Sequence, residues 1–329
     1  MWILINFVIF LLMILLTIAF LTVFERKVMA SVQRRVGPNK VLFGYLQAIA
    51  DGLKLIKKQL LFLKYSNLFI IPIPFFIFAL SLGHWFLIPM NSAGAICETQ
   101  YNILFFLIIS SLEMVYLLAL TWTSNNQYAI LSSIRLVTQI LSFELILTLI
   151  FLPFIAITGS LNFTEIVLSQ KSFWNIFYFI PLFFIMIIVI LAETNRTPFD
   201  IPEAESELVA GYNVEYSSFF FALLFLAEYS NILIMSNVTT CLFLGGWFFF
   251  DFFEYLNLNL QIFIESFLFA FKSLWITFLF ILIRATFPRY RFDKWMDICW
   301  TKLLPLTFVH VFTLIIYYGI SIWYTLFFF

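Results

Sequence analysis

Charge is what this chain has least of. Asp, Glu, Lys and Arg make up 11% of its 329 residues, against 63% hydrophobic residues and a mean hydropathy of +1.03. That composition excludes a soluble globule and points to a polytopic membrane protein. The few charges balance, 18 basic against 18 acidic, so nothing favours nucleic acid as a partner. Three cysteines (Cys97, Cys241 and Cys299) form no CxxC and no Cys/His cluster. The two histidines, His84 and His310, stand far apart in or beside apolar runs, where a packed or hydrogen-bonded ring is the ordinary outcome. No metal centre is therefore expected. The 10 glycines build no phosphate-cradling loop, and no nucleophile–base pair or redox-ligand cluster appears. The chain alone is not expected to transfer electrons; in any redox chemistry, partners would carry the centres. Phenylalanine is abundant, 46 residues, while glycine is scarce, as an AT-rich genome of the organellar kind would produce.

Apolar runs of spanning length fill the chain: 2–24, 68–89, 103–123, 136–158, 173–192, 217–238, 262–283 and 303–327. They predict an all-α integral membrane protein with eight transmembrane helices. The segment 41–66, after the first span, is of another kind. Leu46, Ile49, Leu53, Ile56, Leu60 and Leu63 recur at steps of three and four, while Gln47, Asp51, Lys54, Lys57, Lys58 and Lys64 take the other faces. This spacing predicts one amphipathic helix lying on the membrane surface. No repeat or low-complexity linker divides residues 1–329, so a single polytopic membrane domain is expected. Eight spans would put 16 of the 18 Lys and Arg residues on one side, leaving Lys171 and Lys272 toward the other. That basic side is the cytoplasm or mitochondrial matrix, and both chain ends lie opposite.

Against this scarcity, residues 193–216 (ETNRTPFDIPEAESELVAGYNVEY) hold six acids: Glu193, Asp200, Glu203, Glu205, Glu207 and Glu215. They carry one base, Arg196, and two helix-interrupting prolines, Pro198 and Pro202. A solvated acidic hairpin is one reading. A loop seeking counter-charges among the basic segments on its own side, such as Arg284, Arg289 and Arg291, is the other; those arginines also fit as membrane anchors. Glu113, Glu144 and Glu228 fall inside apolar runs and Glu193 closes one. An intramembrane carboxylate costs several kcal/mol unless paired, protonated or watered, so each is a functional candidate or a structural glutamate bonded between helices. Four of them leading to an acidic loop point to a proton path.

The stretches ERKVMASVQRRVGPNKV, WTSNNQYAILSSIR, AETNRTPFDIPEAESELVAGYNVEYSS with its sequel AEYSNI, and IRATFPRYRFD keep one order along the chain. Together they resemble the NADH dehydrogenase subunit 1 family, the quinone-channel membrane subunits of respiratory complex I (NADH:ubiquinone oxidoreductase). The resemblance implies a subunit that joins the hydrophilic and membrane arms, forms the channel through which quinone arrives, and couples quinone reduction to proton translocation. It implies quinone-channel positions at Arg26, Arg35, Asp51 and Phe225, and an acidic coupling loop at Asp200, Glu203, Glu205 and Glu207. It further implies a proton path through Glu144, Glu193, Glu215 and Glu228, with loop counter-charges Arg196, Arg284, Arg289 and Arg291. No cofactor would be bound by this chain: ubiquinone is a transient substrate, with FMN and iron–sulfur clusters in partner subunits. The partners implied are complex I subunits of the quinone-chamber module and of the membrane arm, within the lipid bilayer. With the phenylalanine-rich composition, the mitochondrial inner membrane is expected, termini in the intermembrane space, a bacterial plasma membrane being the alternative. Departures from the family pattern are Thr121 and Ser132-Ser133 where glycines are usual, Gln59 where a glutamate is usual, and Glu113, which has no counterpart. Two other functions fit the charges: the membrane anchor of a related hydrogenase or ferredoxin-linked complex, and a stand-alone carboxylate-based ion carrier.

Overall fold

Hydrocarbon offers no water to backbone N–H and C=O groups, so a long apolar run closes its hydrogen bonds internally as helix. The computed structural model describes residues 2–59, 68–201, 211–248 and 258–328, and its regular structure there is entirely helical. In chain order the helices are α1 (Trp2–Val32), α2 (Gln47–Lys57), α3 (Pro72–His84), α4 (Asn102–Ser124), α5 (Gln127–Thr158) and α6 (Phe163–Ser169). Then come α7 (Asn175–Tyr178), α8 (Ile180–Glu193), α9 (Ser218–Phe243), α10 (Leu258–Thr286), α11 (Phe292–Ile298) and α12 (Leu304–Phe328). A π-helical turn, Cys299–Leu303, joins α11 to α12.

Six of these stretches are long and apolar enough to cross a membrane: α1, α4, α5, α9, α10 and the run from α11 into α12. The apolar helices α3 and α8 have 13 and 14 residues. At about 1.5 Å per residue each covers roughly 20 Å, short of a hydrocarbon core of about 30 Å. The runs 68–89 and 173–192, expected as full spans, are thus helical over only part of their length. Proline sets both starts. Pro72 and Pro181 occupy the first helical turn, where a missing N–H breaks no intrahelical bond.

Elsewhere helix outruns the apolar pattern. The first span does not stop at Phe24: α1 continues through Glu25, Arg26 and Lys27 to Val32. The fourth run begins at Gln127, because two asparagines make the whole connection from α4. Asn125 ends α4 in the left-handed region (φ 52), and the Asn126 side chain caps α5 by accepting from the Tyr128 N–H at 3.1 Å.

Helix α5 lies at the centre, packed by α4, α6, α8 and α12. Phe143, Ile146, Leu147, Ile150, Phe151 and Phe154 form its buried stripe at helical spacing. Phe154 meets Phe179 and Phe243 edge-on, with centroids 5.5 and 5.1 Å apart. A second apolar cluster, around Ile73, Ile77, Met114, Ile140, Tyr212 and Leu224, joins α3, α4, α5 and α9. Lys272 is buried on α10, yet its ammonium is satisfied. It donates to the carbonyls of Leu244 (2.7 Å), Gly246 (2.9 Å) and Phe248 (2.6 Å), using all three donors. Glycine is required in that turn. Gly246 has φ +52, and a Cβ there would lie 2.7 Å from Val167.

Candidate functional site

Three elements meet where the basic segments lie. Arg26 of α1 donates to Asp51 of α2 at 2.6 Å, and Gln47 supports the same carboxylate at 2.9 Å. Ser218, at the start of α9, donates to the Leu55 and Lys58 carbonyls at 3.2 and 3.0 Å. Helices α1, α2 and α9 therefore share one corner, with Arg26 and Asp51 brought together in it. Phe225 sits half-buried on α9, its ring 4.4 Å from that of Phe221. Arg35 lies exposed beyond the end of α1, donating to Gln33 at 2.8 Å, apart from the Arg26–Asp51 pair.

Glu25 lies one residue before Arg26 and faces inward, only 4% exposed. It pairs with Arg284 of α10, accepts from the Tyr229 hydroxyl at 2.7 Å, and lies 4.0 Å from Arg196. The Arg196 guanidinium stacks over the Tyr229 ring at 4.4 Å. This pairing explains why α1 continues past Phe24: a carboxylate met by two guanidiniums and a phenol can stay inside a helix. From the sequence, Arg284 is expected among the counter-charges of the acidic loop, and Glu25 is not singled out. Its signal, the ERK at the edge of the first apolar run, reads there as a helix end.

The turn after α8 brings the loop to this cluster. Asn195 adopts the left-handed region (φ 51), so the Arg196 N–H reaches back to the Leu191 carbonyl at 3.2 Å. Glu193 then points into one cavity and Arg196 into another, with Thr194 lining both. The larger cavity, about 60 Å³, is bounded by α3, α4, α8 and α9 and lined by Glu113, Glu193 and Glu228 together with His84, Asn195 and Asn231. Asn231 donates to Glu113 at 2.7 Å, and the Tyr212 hydroxyl bonds Glu228. Ser110, also on the wall, lies 3.4 Å from Glu144 of α5. Glu113, Glu193 and Glu228 thus line one space, with Glu144 joined to its wall through Ser110. Glu215 is held apart from it by Asn126, at 2.7 Å.

The start of the acidic loop is fixed to α11 and its approach. Phe199 stacks on Trp295 with centroids 3.6 Å apart, and Trp295 stacks in turn on Phe143 at 5.0 Å. Gln139 of α5 donates to the Ala192 and Phe199 carbonyls at 2.8 and 3.0 Å, and the Tyr290 N–H donates to the Pro198 carbonyl at 3.1 Å. Asp200 pairs with Arg289 at 3.0 Å. Arg291, just before α11, pairs with Asp293 in its first turn at 3.2 Å. Glu203, Glu205 and Glu207 lie outside the described residues, as do Leu60, Leu63 and Lys64. Among the described residues no group of three or more His, Cys, Asp or Glu side chains is arranged to hold a metal ion.

The chain is similar to known proteins over most of its length. A family described as NADH dehydrogenase matches residues 5–315. NADH-ubiquinone oxidoreductase chain 1 of Chondrus crispus is 45% identical over 312 residues, 94% of each chain. That of Arabidopsis thaliana is 44% identical over 306 residues, 91% of each. An NADH-quinone oxidoreductase subunit of Paramagnetospirillum magneticum is 42% identical over 294 residues, 89% of this chain and 85% of the bacterial one.

Proposed function

The chain belongs to the NADH dehydrogenase family, and from that premise we propose that it is the quinone-channel membrane subunit of a proton-pumping NADH:ubiquinone oxidoreductase. In this reading it joins the hydrophilic and membrane arms and passes the consequence of quinone reduction into the membrane. The FMN and iron–sulfur centres belong to partner subunits of the quinone-chamber module. The corner of α1, α2 and α9 is the way in for quinone. Helix α2 lies on the bilayer surface, with exposed Ile49, Leu53 and Ile56 in the lipid, and Arg26 and Asp51 stand at the mouth. Phe225 offers an apolar wall to the isoprenoid tail. The eight apolar runs, including the short α3 and α8, form the membrane-embedded body in the mitochondrial inner membrane. The Lys and Arg bias puts the acidic loop on the matrix side and both ends in the intermembrane space.

One observation carries the coupling part of the proposal: the two sides of Thr194. Glu193 faces the cavity of buried glutamates, while Arg196, three residues on, faces Glu25 and Arg284. Quinone reduction consumes protons and alters the charge beside the loop. The guanidiniums of Arg196 and Arg289 are the first groups placed to respond, and a shift of Arg196 moves the backbone that holds Glu193. Protons then redistribute among Glu193, Glu228 and Glu144, with Glu215 marking the matrix end. Such coupling needs an element with two arrangements, and the loop is that element here.

The test is what accompanies the chain when it is purified in mild detergent. Flavin and iron–sulfur subunits with inhibitor-sensitive NADH:quinone activity are expected. Nickel–iron subunits in their place, or a chain that runs alone and transports ions, would contradict the proposal.

A further inference from the structure

The cavity beside Glu193 contains two titratable groups that the coupling path does not use, Glu113 and His84. Glu113 is buried on α4, 7% exposed, with Asn231 donating to one oxygen. His84 ends α3 and is 3% exposed, its ring edge-on to Phe106 with centroids 4.7 Å apart. Neither ring nitrogen has a hydrogen bond of good geometry, and the backbone of Leu80 and of Phe106 interacts with the ring only at poorer geometry. A buried polar group without a well-formed hydrogen bond is costly, so an occupant that bonds the ring is favoured. The same wall carries three more buried atoms without a partner: Glu193 Oε2, Asn195 Oδ1 and Asn231 Oδ1. A ring that both donates and accepts, facing carboxyl and amide oxygens, is chemically suited to water. The volume of about 60 Å³ has room for roughly two molecules.

We propose that this cavity is a hydrated proton-holding site in which Glu113 and His84 share a proton with each other and with Glu193 through bridging water. A proton passes from the Glu113 carboxyl to a water, and that water gives up another to a ring nitrogen of His84. Each O–H bond broken is matched by one O–H or N–H bond made, so no oxidant or reductant is involved. Glu228, bonded by Tyr212, faces the same space, and Glu144 lies behind its wall, reached through Ser110. The inference rests on the coupling function proposed above and adds a branch to it, reaching from Glu193 across α4 to the end of α3.

The experiment uses the assembled complex in sealed vesicles, with protons moved per NADH oxidised as the first measurement. Glu113→Gln keeps the bond to Asn231 and removes the acid; His84→Gln keeps polarity and removes the titratable ring. Each is expected to lose the same fraction of pumped protons while NADH oxidation continues, and the double variant to lose no more than either single one. Glu113→Asp, which restores a carboxyl, is expected to recover pumping. The redox-induced infrared spectrum should lose a deuterium-sensitive carboxylic acid band in Glu113→Gln, and that band should shift in His84→Gln. A purely structural role would leave the band in place. Normal pumping and an unchanged spectrum in Glu113→Gln, alongside lost pumping in Glu193→Gln, would overturn this inference and leave the coupling function standing. Additive losses in the double variant would also overturn it, because the two groups would then act separately. Normal pumping in all the variants would overturn both. If Glu113→Gln fails to assemble, Glu113→Asp decides: a band that moves with the shortened acid supports the inference, and a band that stays unmoved contradicts it.

Discussion

Removing the carboxylate of Glu25 would strand Arg284, which reaches across from α10 to pair with it. Its side chain is 27% exposed, and that of Glu25 is 6% exposed. Breaking a buried pair from one side leaves a charge without compensation, whereas removing both partners does not. Glu25→Gln is therefore expected to destabilise the subunit by about 3 kcal/mol, with Glu25→Gln/Arg284→Gln recovering part of that. Thermal inactivation of the complex's quinone reductase measures both; a double variant weaker than Glu25→Gln would contradict the pairing. Glu25 also shows where sequence reasoning stops. Glu193, Glu144 and Glu228 are legible from the sequence, because an acid in an apolar run or an acidic loop stands out. Glu25 sits at a boundary, where a charge ordinarily means solvent. Only the third dimension brings Arg284, 259 residues away, to meet it.

The stretch from the end of α8 to Asp200 is held at both ends. Gln139 holds its carbonyls from α5, Trp295 stacks on Phe199, and Arg289 takes Asp200. Phe199 is the strongest of these anchors, at 5% exposure and stacked at 3.6 Å. Phe199→Ala is expected to cost about 3 kcal/mol of local stability and to free the stretch from α11. Limited proteolysis within 193–216 should speed up, and pumping should fall more than quinone reduction. Unchanged cleavage would mean that Trp295 does not hold the loop. The existence of this element was legible in its acids and prolines. Its attachment was not, since an aromatic stack between residues 199 and 295 leaves no periodic trace in the chain. Helix limits failed for related reasons. Pro72 and Pro181 start their helices late, while paired charges and asparagine caps let α1 and α5 run longer than their apolar runs.

Among the described residues, six long apolar stretches and two short apolar helices surround a strip of charge that runs from α1 and α10, past Thr194, to α4, with Glu144 of α5 reached through Ser110. Large apolar side chains such as Leu12, Met13, Phe184, Phe267 and Phe312 face outward from it, a surface suited to lipid and to neighbouring subunits. Interior charge inside an apolar shell is costly to maintain, which is why the proposed function assigns it a use. The class of protein was legible from hydropathy alone. The meeting of Glu113, Glu193 and Glu228 in one cavity was not, because residues on three helices converge by packing and not by spacing.

The proton-to-electron ratio of a complex carrying Glu193→Gln is the most direct test of that use. The variant removes one acid at the junction of loop and cavity and leaves the Arg26–Asp51 corner and the Glu25 cluster intact. Quinone reduction that continues while the pumped ratio falls is the predicted result. A ratio equal to that of the unaltered complex would contradict it.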